Sequence, residues 1–190
     1  LRSEHPGLPI VGIEPALKPA CALSRTRRIG VMATRGTLAS AKFAGLLQRL
    51  SSEAEFVLQP CDGLADAIER QAVAGHADSE ASRLLAQYAH GMGRLGPSEG
   101  MIDTLVLGCT HYPLVAGALQ EIVGPDVRLV EPGAAVARQS AHLLDRLGGR
   151  HPGDQPGPLH LLSTGAPAPL AAAARHWLGF DGLAAGCRID

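Results

Sequence analysis

Two hydrophobic periods alternate along this chain. Short apolar-rich runs at 28–34, 55–59, 103–107, 127–130 and 159–163 predict strands, the run at 103–107 a buried one. Between them, apolar residues recur at helical spacing: Leu38, Ala41, Leu46, Leu47 and Leu50 share one face, Leu64, Ala67 and Ile68 a second, and Ala81, Leu84, Leu85 and Tyr88 a third. Gly91, Gly93, Gly96 and Pro97 close the third segment, read as a helix over 79–95. Further helices are predicted over 115–123, from 133 to 147 and over 167–178, where Trp177, with Phe180 beyond it, reads as a packing anchor. Strand and helix alternating through short turns predict an α/β fold with a parallel sheet flanked by helices. Residues 1–20 hold four prolines and read as a connector, with 9–15 a short strand leading into a turn. The stretch 148–158, with four glycines and three prolines, reads as a loop.

Composition narrows the function classes. A chain of 190 residues, 46% of them hydrophobic, can bury a core. With 17 basic and 18 acidic residues and a net charge of −1, nothing in the electrostatics favours nucleic acid or an anionic membrane as partner. No apolar run is long enough to span a bilayer and no leader pattern opens the chain, so a cytoplasmic protein is expected. Cys21, Cys61, Cys109 and Cys187 are too widely spaced for a metal motif and read as free thiols in a reducing compartment, Cys187 as a spare one. The chain opens on Leu1, and truncation is the expectation drawn from that.

The candidate chemistry centres on Leu105-Val106-Leu107-Gly108-Cys109-Thr110-His111-Tyr112-Pro113-Leu114. Gly108 lets the strand turn, and Pro113 suits the first turn of a helix. Cys109 then lies at a strand-to-helix turn, where open α/β sheets bind ligands and helix N–H groups favour negative charge. A thiol there ionises more easily than its usual value of about 8.5. His111 is close enough to donate a proton or polarise a bound group; the plainer alternative is a small buried cysteine beside a capping histidine. The turn after 28–34 has a second cluster, in which Thr37 reads as an N-cap while its hydroxyl and free N–H groups offer a carboxylate site. Glu69, taken alone, is a solvated helix charge.

Gly-Cys-Thr-His-Tyr-Pro-Leu at 108–114 resembles the second catalytic-cysteine motif of bacterial glutamate racemases, and the His-Tyr-Pro continuation separates it from related amino-acid racemases. Segments at Val11, Gly30, Cys61, Glu131 and Ser163 follow in the family's order, so that the chain resembles roughly the last two-thirds of such an enzyme. The resemblance implies two pseudo-symmetric α/β domains closing on one glutamate, one nearly complete here plus part of the other. It assigns 1–20 as a connector, 21–131 as the second domain with the Cys109 site, and 132–190 as a return segment to the first domain. It implies a cofactor-independent isomerase, without metal, pyridoxal phosphate or flavin, that supplies D-glutamate for peptidoglycan, with a homodimer as a possible assembly. Cys109 corresponds to the second of two acid/base cysteines, His111 and Glu69 support its proton traffic, and Thr34, Thr37 and Thr110 contact the substrate.

Inversion needs one acid/base group on each face of the α-carbon. The family's early Asp-Ser-Gly turn and its Cys-Asn motif do not occur in this chain, which has no asparagine. A C-terminal portion with at most trace activity alone is therefore expected. The alternatives are a non-catalytic glutamate-binding or relic fragment, and a racemase or decarboxylase of the same superfamily acting on aspartate, a hydantoin or a malonate.

Overall fold

The run Arg-Ile-Gly-Val-Met-Ala forms β1 (Arg28–Ala33), buried from its second residue onward, and Thr-Leu-Val-Leu forms β3 (Thr104–Leu107), buried throughout. Strands apolar on both faces belong in the middle of a sheet covered by helices on both sides. In the computed structural model, which describes residues 3–74, 79–149, 159–182 and 184–187, they pair with each other in parallel, Ile29 opposite Thr104 and Met32 opposite Leu107. β2 (Glu55–Pro60) adds to the outer edge of β1 and β4 (Arg128–Val130) to that of β3, giving the all-parallel order β2-β1-β3-β4.

Two apolar layers cover this sheet. On one face α4 (Leu64–Ala74), α5 (Ser79–Gly91) and α6 (Ala116–Val123) bury Leu64, Ile68, Leu85 and Leu119 against Met32, Leu105 and Leu107. On the other, α1 (Leu17–Leu23) and α3 (Ala41–Leu50) bury Leu17, Cys21, Phe43 and Leu46 against Ile29, Val31 and Val106. The chain continues into α7 (Gly133–Arg146), and a two-stranded parallel sheet of β5 (Leu161–Ser163) and β6 (Ala184–Gly186) encloses α8 (Pro167–Leu178) in sequence. α8 packs against α4.

Several expectations need correction. Residues 9–15 form no strand, and α1 begins inside the stretch read as a connector, with Leu17 and Ala20 fully buried. The single helix expected over 38–50 is two: α2 (Arg35–Leu38) and α3, because Ser40 Oγ accepts the Phe43 N–H at 3.2 Å and caps a new start. Thr34, not Thr37, caps α2, accepting the Thr37 N–H at 3.3 Å. Ala41 is exposed, and Phe43 takes the buried position. α5 ends at Gly91, and Cys187 is tied down, its N–H donating to Ser163 O at 2.8 Å. Of the loop read over 148–158, residues 150–158 lie outside the described residues.

Asp103, just before β3, anchors the end of the sheet away from the β-strand carboxyl edge. Its buried carboxylate accepts the Ser24 hydroxyl at 2.6 Å, the Arg25 N–H at 2.7 Å, the Thr26 N–H at 3.1 Å and the Thr104 hydroxyl at 3.0 Å. Burial alone would raise its pKa, but these hydrogen bonds together hold it below the ordinary 3.8. The stability it contributes is thus present above the unfolded pKa and is lost as pH falls through the folded value, below 3.8. Asp103→Asn presents an NH₂ to N–H donors that need an acceptor; a loss of about 2 kcal/mol is expected, read as a melting temperature lower by roughly 4–8 °C. At the alkaline end, burial pushes the Cys61 thiol up to about 12 from 9.0. Because the folded value is raised, stability falls as pH rises from the unfolded value to the folded one, and Cys61→Ser should flatten that limb when urea midpoints at roughly pH 8 and roughly pH 11 are compared. At Gly108 an added Cβ would lie 2.8 Å from Ala33 Cβ and 3.0 Å from Met32 O. Neither neighbour can swing aside, so Gly108→Ala should cost about 1–3 kcal/mol in thermal denaturation.

Candidate functional site

β1, β2 and β3 end side by side, and three turns leave them at one edge. Gly108 N–H donates to Met32 O at 2.7 Å and Cys61 N–H to Ala33 O at 2.9 Å, so the turns after β3 and β2 are both bonded to the end of β1. The first turn carries Thr34 and Thr37, whose hydroxyl oxygens are 2.9 Å apart. The third carries Cys109, Thr110 and His111 ahead of a 3₁₀ turn, Tyr112–Val115, with α6 beginning only after it. The amides of Tyr112 and Leu114 already serve the carbonyls of Cys109 and His111, at 3.2 and 3.1 Å. Cys109 therefore faces one tight turn instead of the open end of a long helix.

A cleft of about 230 Å³ opens over this edge, and Thr34, Thr37, Cys109 and Thr110 line it together with Ile13, Glu14 and Pro132. Four of the six residues singled out from the sequence thus share one cavity. The other two form a line behind it. His111 Nδ1 lies 3.6 Å from Cys109 Sγ, and His111 Nε2 lies 2.7 Å from Glu69 Oε1. His111 and Glu69 open instead onto a second cleft of about 950 Å³, between α4 and α8, with Leu170 and Trp177 in its wall. The residues of the Cys109 turn are the boundary between a small hydroxyl-lined cleft and a larger one with an imidazole and a carboxylate at its edge.

The electrostatics around the small cleft are close to balanced. Glu14 in its wall pairs with Lys42 at 3.5 Å, and Arg35 beside Thr34 pairs with Asp62 on the neighbouring turn. The Asp62 pair and its charge raise the Arg35 pKa. A thiol touching an imidazole that touches a carboxylate can pass a proton in either direction, and adjacent hydroxyls can hold a small carboxylate. Among the described residues, no three His, Cys, Asp or Glu side chains gather as a metal site. Among them also, no helix is long and apolar enough to cross a membrane.

Ile13, Glu14 and Pro132 also line the cleft, although no local pattern in the sequence assigns them to it. Glu14 carried a signal, a lone acid in a proline-bounded stretch, but its arrival opposite Thr34 depends on the path of the connector. Tyr112 reads as part of a motif, yet it is the largest fully buried side chain here.

A family model described as Asp/Glu/hydantoin racemase matches residues 2–140. A glutamate racemase of Ectopseudomonas mendocina is 45% identical over 183 residues, covering 95% of this chain and 60% of that relative. One of Methylococcus capsulatus is 46% identical over 141 residues, covering 74% of this chain and 48% of that relative. The chain thus spans about half to three-fifths of the length of these curated relatives. Among solved structures, Escherichia coli glutamate racemase in complex with L-glutamate and the activator UDP-MurNAc-Ala superposes with a TM-score of 0.75 at 25% identity, covering 97% of this chain and 68% of that one. The RacE1 isoform of Bacillus anthracis gives 0.73 at 25% identity, covering 99% and 67%. The matched span takes in both the Thr34 turn and the Cys109 turn, and by it the chain belongs to the Asp/Glu/hydantoin racemase family.

Proposed function

We propose that this chain carries the Cys109 side of a cofactor-independent glutamate racemase that supplies D-glutamate for peptidoglycan. One observation carries the reading: Cys109, at the floor of a small cleft, is followed by His111 and Glu69 in a line of contacts at 3.6 and 2.7 Å. The cleft volume of about 230 Å³ falls below the roughly 300–1,000 Å³ of drug-sized pockets and suits an amino acid. Relatives at this level of identity are named glutamate racemases, and the solved E. coli relative binds L-glutamate.

In this reading Thr34, Thr37 and Thr110 hold a substrate carboxylate. The Cys109 thiolate takes the α-proton, leaving a carbanion stabilised by its own carboxylate, and the thiol returns a proton in the reverse direction. His111 exchanges that proton through Nδ1, and Glu69 orients the imidazole through Nε2. The opposite face of the α-carbon needs a second acid/base group. Cys61 does not suit it: it is buried, its pKa is pushed up to about 12 and it lies outside the small cleft. Among the described residues no other thiol lines that cleft, and the second group is assigned to the part of the family's length that these residues do not span. Residues 21–131, extended back to Leu17 by α1, then form the second domain, and 132–190 return to the first.

The test is α-proton exchange in deuterium oxide with L- and D-glutamate, followed by mass spectrometry. These residues alone should exchange one enantiomer without racemising it, and Cys109→Ala should lower that exchange by about 10²–10⁴-fold. Full interconversion by these 190 residues, or exchange indifferent to Cys109→Ala, overturns the reading.

A further inference from the structure

We infer that Tyr112 is a positioning residue for the line Cys109, His111 and Glu69, an inference that rests on the reading of that line as the proton-handling part of the site. His111 and Glu69 meet at 2.7 Å although 42 residues separate them and they stand on different elements, the turn after β3 and helix α4. A contact between a half-buried imidazole and an exposed carboxylate is by itself loosely held. Something must fix the two elements relative to each other.

Tyr112 does this from below. It follows His111 directly, is 0% exposed, and its ring packs in the core layer that also contains Leu64 and Ile68 of α4. Its hydroxyl donates to Cys61 O at 3.4 Å. That same carbonyl accepts the Leu64 N–H at 3.3 Å, the first residue of α4. The phenol therefore ties the His111 turn to the point where the Glu69 helix begins, and both ends of the His111–Glu69 contact are set by one buried group. Burial and the nearby thiols of Cys61 and Cys109 push its pKa far above the ordinary 10.0, so it keeps its proton, and its role as donor, throughout any working pH.

Tyr88 provides an internal comparison. Its hydroxyl donates at 2.7 Å to the next carbonyl of the same turn, Asp62 O, but it comes from α5, so its hydrogen bond joins that turn to α5 and not to the segment that carries His111. A hydroxyl that merely stabilises the turn would act alike in both places. A hydroxyl that positions His111 against Glu69 acts only from Tyr112.

The experiment is alkylation of Cys109 by iodoacetamide as a function of pH, resolved by peptide mass mapping so that partly exposed Cys187 is counted separately. The parent chain is compared with Y112F, Y88F, E69Q and Y112F/E69Q, and melting temperatures are read on the same samples. This readout needs no turnover. Y112F should move the Cys109 profile in the same direction as E69Q, with a rate change at neutral pH of about three- to tenfold, the scale of coupling within one hydrogen-bond network. The double variant should move it no further than the larger single change, and Y88F should leave it in place. If E69Q moves the profile while Y112F leaves it unchanged, adds to E69Q independently, or is matched by Y88F, the positioning role is overturned and the site reading stands. If E69Q and Y112F both leave it unchanged, the Glu69–His111–Cys109 reading falls, and this inference with it.

Discussion

Between the ends of β1 and β3 there is room for backbone and nothing more. Gly108 N–H reaches Met32 O at 2.7 Å, and the space where its side chain would stand is taken by Ala33 Cβ and that same carbonyl. A residue that must be glycine for want of space fixes the path of everything after it. From that point Cys109 turns toward the small cleft, His111 toward Glu69, and Tyr112 down into the core. The three side chains diverge from one short segment because its start is pinned and its continuation is a single 3₁₀ turn.

What could be read from the residues follows from which forces act locally. The central strands were legible because burial on both faces leaves nearly unbroken apolar runs, and the helix over 167–178 because Pro167 opens it and Gly179, in the left-handed conformation, closes it. The division between α2 and α3 was not. It turns on Ser40, whose hydroxyl donates to Thr37 O and accepts from Phe43 N–H, and such side-chain bonds override apolar spacing. β6 was missed for another reason: Ala-Ala-Gly has no strand propensity, and it is a strand only because β5 lies alongside. In the candidate site, Cys109 and His111 are local and their proximity is visible in the sequence. Glu69 was legible only through family likeness, since its contact with His111 closes a loop that contains α5 and β3.

The division of the site into two clefts gives the proposed chemistry a spatial order. Hydroxyls and the thiol face the small cleft; the imidazole and carboxylate face the larger one. The groups suited to holding a substrate are thus on one side of the Cys109 turn. Those suited to exchanging a proton with water are on the other, where Glu69 remains mostly exposed. A bound amino acid in the small cleft would not obstruct the far end of the line.

The β5–β6 pair is the opposite case, a part of the molecule with unspent cohesion. Two parallel strands of three residues each are too few to be stable alone; α8 packs against both, yet Leu162 and Leu178 still stand 61% and 70% exposed. Among the described residues no further strand pairs with β5 or β6, and an open strand edge beside bare leucine is a template on which other chains can add. Left uncovered, such an edge is a place where association between copies would begin.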